Sequence, residues 1–288
     1  MTSRIDYNNP ASSGKLGLPY HYEMISDAKR VIPFKLAIQA TCKNKRVFES
    51  GIGSGIMSIL AARAGAKKVY ATEIDSSIAD FAQDNINKSG FQDIIKIIRK
   101  DTRSLSLEDI DDEKVDVAIA ENLSTWEVNE PEISVFNYIN KNLVKSDGIR
   151  IPERIFNKFE LASSQYRFED SVELRTYYFE FSGISRPKIL SGKKLLSEIN
   201  LSMINAPKIE KSVIVKILRD GILNSIRLTS PIKVFGNITF DSSDSLMPPV
   251  VIPLREDIEV GVADKVKVAF KYSFENEWIN FETKAEIV

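Results

Sequence analysis

Two groups of residues in this 288-residue chain have the types and spacings of a working site. The first is a glycine loop, Gly51-Ile52-Gly53-Ser54-Gly55, with Glu49 just before it and Glu73 eighteen residues after Gly55. Glycines there allow positive φ and let backbone approach a ligand closely. A helix starting after them supplies unpaired N–H groups and partial positive charge. An acid ending the next strand can accept the ribose hydroxyl protons of an adenosine. Lys100-Asp101-Thr102 follows a further apolar segment, and an acid there can accept an adenine amino group. The second group is Glu121 and Glu130, nine apart, with Trp126 between them. Two close carboxylates raise each other's pKa unless a cation joins them. A guanidinium satisfies both through forked hydrogen bonds. The plainer readings are a structural glycine turn, an Asp101 serving only its turn, and a Glu130 that is simply a helix N-terminal acid.

These residues must be positioned by regular elements, and the first half of the chain supplies them. Lys45–Ser50, Lys68–Glu73, Ile94–Ile98 and Val115–Ala120 read as buried strands. Ile56–Gly65, Ser76–Ser89 and Pro131–Val144 read as helices, the second with a serine cap and Gly90 at its end. Strand and helix alternating at this spacing mean an open α/β sheet with parallel strands. After Pro152 the pattern changes to period-two alternation in Val213–Leu218, Ile222–Leu228, Ile232–Phe240, Val266–Tyr272 and Trp278–Ile287. That is an antiparallel β-barrel or sandwich domain, with a short helix expected at Lys188–Leu201. The expected divisions are residues 1–32 as an N-terminal segment with a covering helix, 33–152 as the α/β domain and 153–288 as the β domain.

Composition removes several function classes. Lys+Arg 39 against Asp+Glu 40 leaves a net charge of −1, so no global basic excess draws the chain to nucleic acid. The single Cys42 forms no internal disulfide or multi-cysteine zinc site, and the single His21 leaves no HExxH motif, so no metal is expected. Cys42 reads as a helix-end filler. No stretch reaches the ~18 apolar residues of a membrane span, and the N-terminus carries no secretory signal. A cytoplasmic protein is expected.

Glu49-Ser50-Gly51-Ile52-Gly53-Ser54-Gly55 matches E/D-x-G-x-G-x-G, which resembles the S-adenosylmethionine (SAM) loop of class I methyltransferases. NAD-type G-x-G-x-x-G/A fits badly. Glu49 also favours SAM, because a carboxylate pairs with its ammonium and would repel a pyrophosphate. From about Tyr20 onward the chain resembles the protein arginine methyltransferase family. The family's paired glutamates are nine apart, with Asp-Gly seventeen residues later, as are Glu121, Glu130 and Asp147-Gly148. His21 to Arg30 resembles the family's helix carrying His, Met, Asp and Arg. The resemblance implies a Rossmann-like sheet followed by a β-barrel, and SAM as cofactor. His21, Arg30, Glu49, Gly51, Gly53, Gly55, Glu73, Asp101 and Thr102 would bind SAM, Arg30 through its carboxylate. Met24, Glu121 and Glu130 would surround the methyl-transfer site. The implied acceptor is a protein arginine; RNA, a small metabolite, or binding without turnover are the alternatives. A homodimer is implied too, through an arm leaving near Tyr166–Pro187. The family's Thr-His-Trp loop falls near Ser245-Leu246-Met247, which has neither His nor Trp, and its aromatic lid falls on Ala11–Lys15, which has no aromatic.

Overall fold

The computed structural model describes residues 17–241 and 246–288. Its first unit is a five-stranded parallel sheet, ordered β3-β2-β1-β4-β5. In chain order its elements are α1 (Leu18–Ser26), α2 (Ala28–Thr41), β1 (Arg46–Ser50), α3 (Ile56–Arg63), β2 (Lys68–Thr72), α4 (Ser76–Ser89), β3 (Ile95–Ile98), β4 (Val115–Ala120), α5 (Glu132–Asn142) and β5 (Val144–Ile151). Val47, Phe48, Val117 and Ile119 of the central strands are fully buried, because helices cover both faces of a parallel sheet. Strand order reverses between β1 and β4, and that switch point opens a crevice at the strands' carboxyl ends. α4 ends as expected at Gly90 (φ +75), but its N-cap is Asp75, whose carboxylate accepts from Ser77 and Ile78 N–H. α2 is capped by Asp27 and runs unbroken through position 33. Cys42 closes α2 as a buried free thiol that burial pushes up to about 11.

The second unit is antiparallel and curls into a half-barrel without closing. Its strands are β6 (Arg154–Ser163), β7 (Arg167–Phe168), β8 (Val172–Glu173), β9 (Tyr178–Phe179), β10 (Lys188–Ile189), β11 (Lys194–Asn200), β12 (Lys208–Lys216), β13 (Gly221–Thr229), β14 (Ile232–Phe235), β15 (Ile238–Phe240), β16 (Val250–Val260), β17 (Lys265–Ser273) and β18 (Glu282–Ile287). Eight of them form one sheet, and β12-β17-β18 form another.

Three expectations are corrected here. Residues 188–201 are not a helix; β10 and β11 pair with β6, and a bulge between Leu195 and Ser197 breaks the period-two pattern that would mark a strand. Ile232–Phe240 is a hairpin rather than one strand, turning at Gly236 (φ +56). Trp278–Asn280 is a 3-10 turn ahead of β18. Residues 166–187, where the resemblance would have an arm leave, hold the short strands β7, β8 and β9.

Trp126 ties the two units together. It is fully buried, its ring 5.2 Å from Phe270 and 5.5 Å from Tyr272, and its Nε1–H donates to the Thr229 carbonyl at 3.1 Å.

Candidate active site

The crevice at the switch point holds a cavity of about 470 Å³. Its donor-binding wall is built from the ends of β1, β2 and β3. Gly53 sits at φ +51 and Gly55 at φ +87, conformations glycine adopts without strain. Gly55 lies behind the cavity wall as the left-handed N-cap of α3. The His21 ring lies against the loop: a Cβ on Gly53 would meet His21 Nδ1 at 3.0 Å. Glu73 is held by three backbone donors, Gly53 N–H at 3.2 Å, Ile74 N–H at 2.9 Å and Asp75 N–H at 3.1 Å. A carboxylate fixed this way is aimed before any ribose arrives.

Asp101 and Thr102, expected to meet the adenine, also line this wall, yet each has other partners. Asp101 accepts from Arg103 N–H at 2.7 Å and from its guanidinium, which holds the Asp101 carboxyl below its ordinary range. The Thr102 hydroxyl lies 2.7 Å from both Ser50 Oγ and Thr72 Oγ1, knitting three strand ends together. Its side chain is therefore a brace, and only its backbone and Asp101 are left for a base. Glu49, only 4% exposed, accepts from the Ser58 hydroxyl. Burial pushes its carboxyl up to about 8, against the Ser58 bond that lowers it. A buried acid of this kind is poised to ionise when a cation comes beside it.

The other wall is the loop from Glu121 to Glu130. Arg30 Nη2 donates to Glu121 Oε1 in a buried pair. Burial opposes the Arg30 charge, but Glu121 beside it keeps it protonated and pushes its pKa up. Burial raises Glu121, with Arg30 pulling it back. Burial also pushes Glu130 up to about 7, Arg30 opposing and Glu121 reinforcing the rise. The Glu130 carboxylate receives no hydrogen bond from any described residue; only its backbone N–H is engaged, donating to Ser124 Oγ at 3.3 Å. The β unit pins the loop between the glutamates: Trp126 N–H donates to Ser230 Oγ at 2.8 Å, Thr125 Oγ1–H to the Pro248 carbonyl at 2.7 Å, and Glu275 N–H to the Glu127 carbonyl at 3.1 Å.

Of the residues singled out from sequence, His21, Met24, Arg30, Glu49, Gly51, Gly53, Glu73, Asp101, Thr102, Glu121 and Glu130 all line this one cavity; Gly55 does not. Arg30 also keeps Nε and Nη1 buried with no hydrogen-bond partner among the described residues. Two orphaned cationic donors in the wall fit a carboxylate, the buried Glu49 fits an ammonium, and Glu73 fits a diol. This donor set suits an aminoacyl nucleoside such as SAM.

A family model described as ribosomal protein L11 methyltransferase (PrmA) matches residues 35–149, the parallel-sheet unit. Protein MJ1452 of Methanocaldococcus jannaschii is 28% identical over 88% of this chain and 91% of its own length. Protein arginine N-methyltransferase 1.1 of Arabidopsis thaliana is 28% identical over 59% of this chain and 44% of its own. Protein arginine N-methyltransferase 6 of Danio rerio is 32% identical over 46% and 38%. These matches make the chain similar to class I SAM-dependent methyltransferases and, among them, to the protein arginine methyltransferases. Its two-unit fold matches the Trypanosoma brucei protein arginine methyltransferase 1 enzyme–prozyme heterotetramer with S-adenosylhomocysteine at a TM-score of 0.77 and 17% identity, covering 98% of this chain and 99% of that one. Arabidopsis protein arginine methyltransferase 10 matches at 0.76 and 16%, covering 94% and 97%. The chain spans less than half the length of the curated arginine methyltransferases it matches by sequence.

Several site residues were not found from sequence. Tyr20 lines the cavity beside Glu130, and burial raises its hydroxyl well above the ordinary range. Its spacing of four from Met24 puts both on one face of α1, a signal that could have found it. Glu127 and Glu132 are fully buried, and burial drives both carboxyls well above the ordinary range. Among the described residues neither Glu127 oxygen has a hydrogen-bond partner, and Glu132 accepts only from Asn122 N–H, at 3.1 Å. Nothing in the sequence distinguishes them from surface acids. Of the positions expected for the Thr-His-Trp loop, Ser245 lies outside the described residues, Leu246 is half-buried and Met247 is fully buried. Ala11–Lys15 lie outside them too.

Proposed function

We propose that this methyltransferase acts on a guanidinium nitrogen of arginine in a protein or peptide. The observation that carries the reading is Glu130: a half-buried carboxylate that accepts no hydrogen bond from the described residues, in the wall of the donor cavity and near the Arg30–Glu121 pair. A group so placed lacks a cationic partner, and a planar cation with several N–H donors supplies one. When bound, SAM supplies an electrophilic methyl on a positively charged sulfur. Arg30 and Glu49 hold and orient the donor, and Glu73 fixes its ribose. Glu121 and Glu130 bind the acceptor and draw its positive charge away from the attacking nitrogen, so that positioning and electrostatics supply most of the rate. The net charge of −1 gives no support to an RNA acceptor.

The test is methyl transfer from radiolabelled SAM to arginine-rich peptides by Glu121→Gln and Glu130→Gln. Each is expected to lose about 10²–10³ in kcat/KM, the scale of removing one electrostatic stabiliser. Undiminished transfer in both would end the reading.

A further inference from the structure

One carboxylate in the wall of the large cavity comes from the far end of the chain. Glu275 belongs to the β unit, yet it lines the cavity together with Asp101, Thr102 and Arg103, where the base of the donor is expected. It sits in the connection between β17 and β18 at φ +57, a conformation that residues with a side chain seldom adopt. That connection is stitched to the loop between the glutamates. Glu275 N–H donates to the Glu127 carbonyl at 3.1 Å, and Asn276 N–H to the Val128 carbonyl at 2.5 Å.

The Glu275 side chain is fixed as firmly as its backbone. α5 has no side-chain cap at its own start, so the N–H groups of its first turn need acceptors from elsewhere. Glu275 Oε1 accepts the Ser134 N–H at 2.6 Å. Pro131 and Val135, around the same turn, line the cavity as well. Arg103 Nη1–H donates to Ser134 Oγ at 3.2 Å. Asp101 pushes the Arg103 pKa up, burial opposes the rise, and Glu275 adds to it. Glu275 Oε2 accepts no hydrogen bond from any described residue. One oxygen is therefore anchored, and the other stays unsatisfied in a cavity-lining side chain.

Asp101, the acid nearest in sequence to this end, is engaged differently. Its Oδ1 accepts Arg103 N–H at 2.7 Å and Nε–H at 3.0 Å, and its Oδ2 accepts Nη2–H at 2.7 Å. Both lone pairs of Oδ1 are used, and the guanidinium matches the charge. Adenine carries an exocyclic amino group that donates, where guanine carries an oxygen that accepts. A carboxylate oxygen with no donor of its own is the better partner for the amino group, and it repels the oxygen.

We propose that Glu275 recognises the base of the donor: Oε2 accepts from the adenine amino group while Oε1 holds the start of α5. The β unit thereby reads the base of a molecule that the parallel-sheet unit holds by its ribose and aminoacyl ends. The assignment concerns the donor alone and stands whatever the acceptor is.

The experiment measures, by calorimetry, the affinity for S-adenosylhomocysteine and for its analogue with purine in place of adenine, which lacks only the amino group. The wild-type protein is expected to favour S-adenosylhomocysteine by about tenfold or more, the scale of one hydrogen bond to a charged group. Glu275→Gln has one acceptor oxygen where Glu275 has two, so Ser134 N–H and the amino group no longer each have their own. It is expected to lose most of that preference, with the purine analogue bound as before. Glu275→Ala is expected to lose the preference too, with a lower melting temperature from the lost cap. Both ligands weakened by the same factor in these variants, the preference intact, would make Glu275 a helix cap only and overturn the proposal. A preference lost in Asp101→Asn but kept in Glu275→Gln, or absent from the wild-type protein, would overturn it as well.

Discussion

The two walls of the site are held in different ways. Most of the donor-binding wall comes from one contiguous stretch, Glu49 to Thr102, and backbone N–H groups and strand ends fix it in place. The acceptor wall is gathered from distant parts of the chain. The Glu121–Glu130 loop is anchored by Thr229, Ser230, Pro248 and Glu275, and Phe179 and Phe181 share a small cavity with Glu130. A wall made of local backbone geometry keeps its ligand whatever the second unit does. A wall made of long-range contacts can change its acceptor without disturbing the donor. That division would let one reaction serve different substrates.

The sharpest way to break the comparison is Trp126→Ala. Loss of a fully buried indole costs about 3–5 kcal/mol, measured by urea unfolding. If the walls are separable, S-adenosylhomocysteine binding survives in the folded fraction while peptide methylation collapses. Equal loss of both would show a single coupled site. Gly53→Ala should do the reverse. A non-glycine residue at φ +51 is strained by about 1–2 kcal/mol, and its Cβ would meet the His21 ring at 3.0 Å. SAM affinity by calorimetry is expected to fall about tenfold, and the peptide KM at saturating SAM to stay level.

Glu127→Met sharpens the acceptor side. The Glu127 carboxyl is raised in the folded chain, so folding holds its proton while the unfolded chain releases it near pH ~4.3. Its stability contribution is therefore present at low pH and lost as pH rises towards the folded pKa. The substitution should add about 1–3 kcal/mol at pH 8, with the gain shrinking towards pH 4; a gain independent of pH would contradict the protonated-acid account. The gentlest effect is in the pH profile. Glu130 at about 7 must be ionised to hold a cation, so kcat/KM for the peptide should rise through about pH 7 and level off. Glu130→Gln should flatten that rise.

Much of the donor side was legible in the sequence. The glycine loop, Glu73 and the segment carrying Met24 and Arg30, which folds as the two helices α1 and α2, are short-range patterns, and eleven of the twelve residues chosen fall around one cavity. The pairing of Arg30 with Glu121, across 91 residues, was not legible, nor was the brace made by Thr102. Residues 188–201 misled because the bulge in β11 disrupts alternation, and only the pairing with β6 decides that they are strand.

The sequence by itself pointed, through its resemblance, to methyl transfer from SAM, because a glycine turn, a strand-end acid and a spaced pair of glutamates are patterns carried by the order of residues alone. Tertiary structure decided how each carboxyl behaves. Glu73, Glu121, Glu127, Glu130 and Glu132 are the same residue on paper. Burial, three backbone donors or one guanidinium make them a side chain pinned by backbone N–H groups, an ion pair, two buried acids and a half-buried carboxylate that accepts no hydrogen bond from the described residues. Charge in a protein is set by what surrounds a group, and the residues that surround these lie far away along the chain.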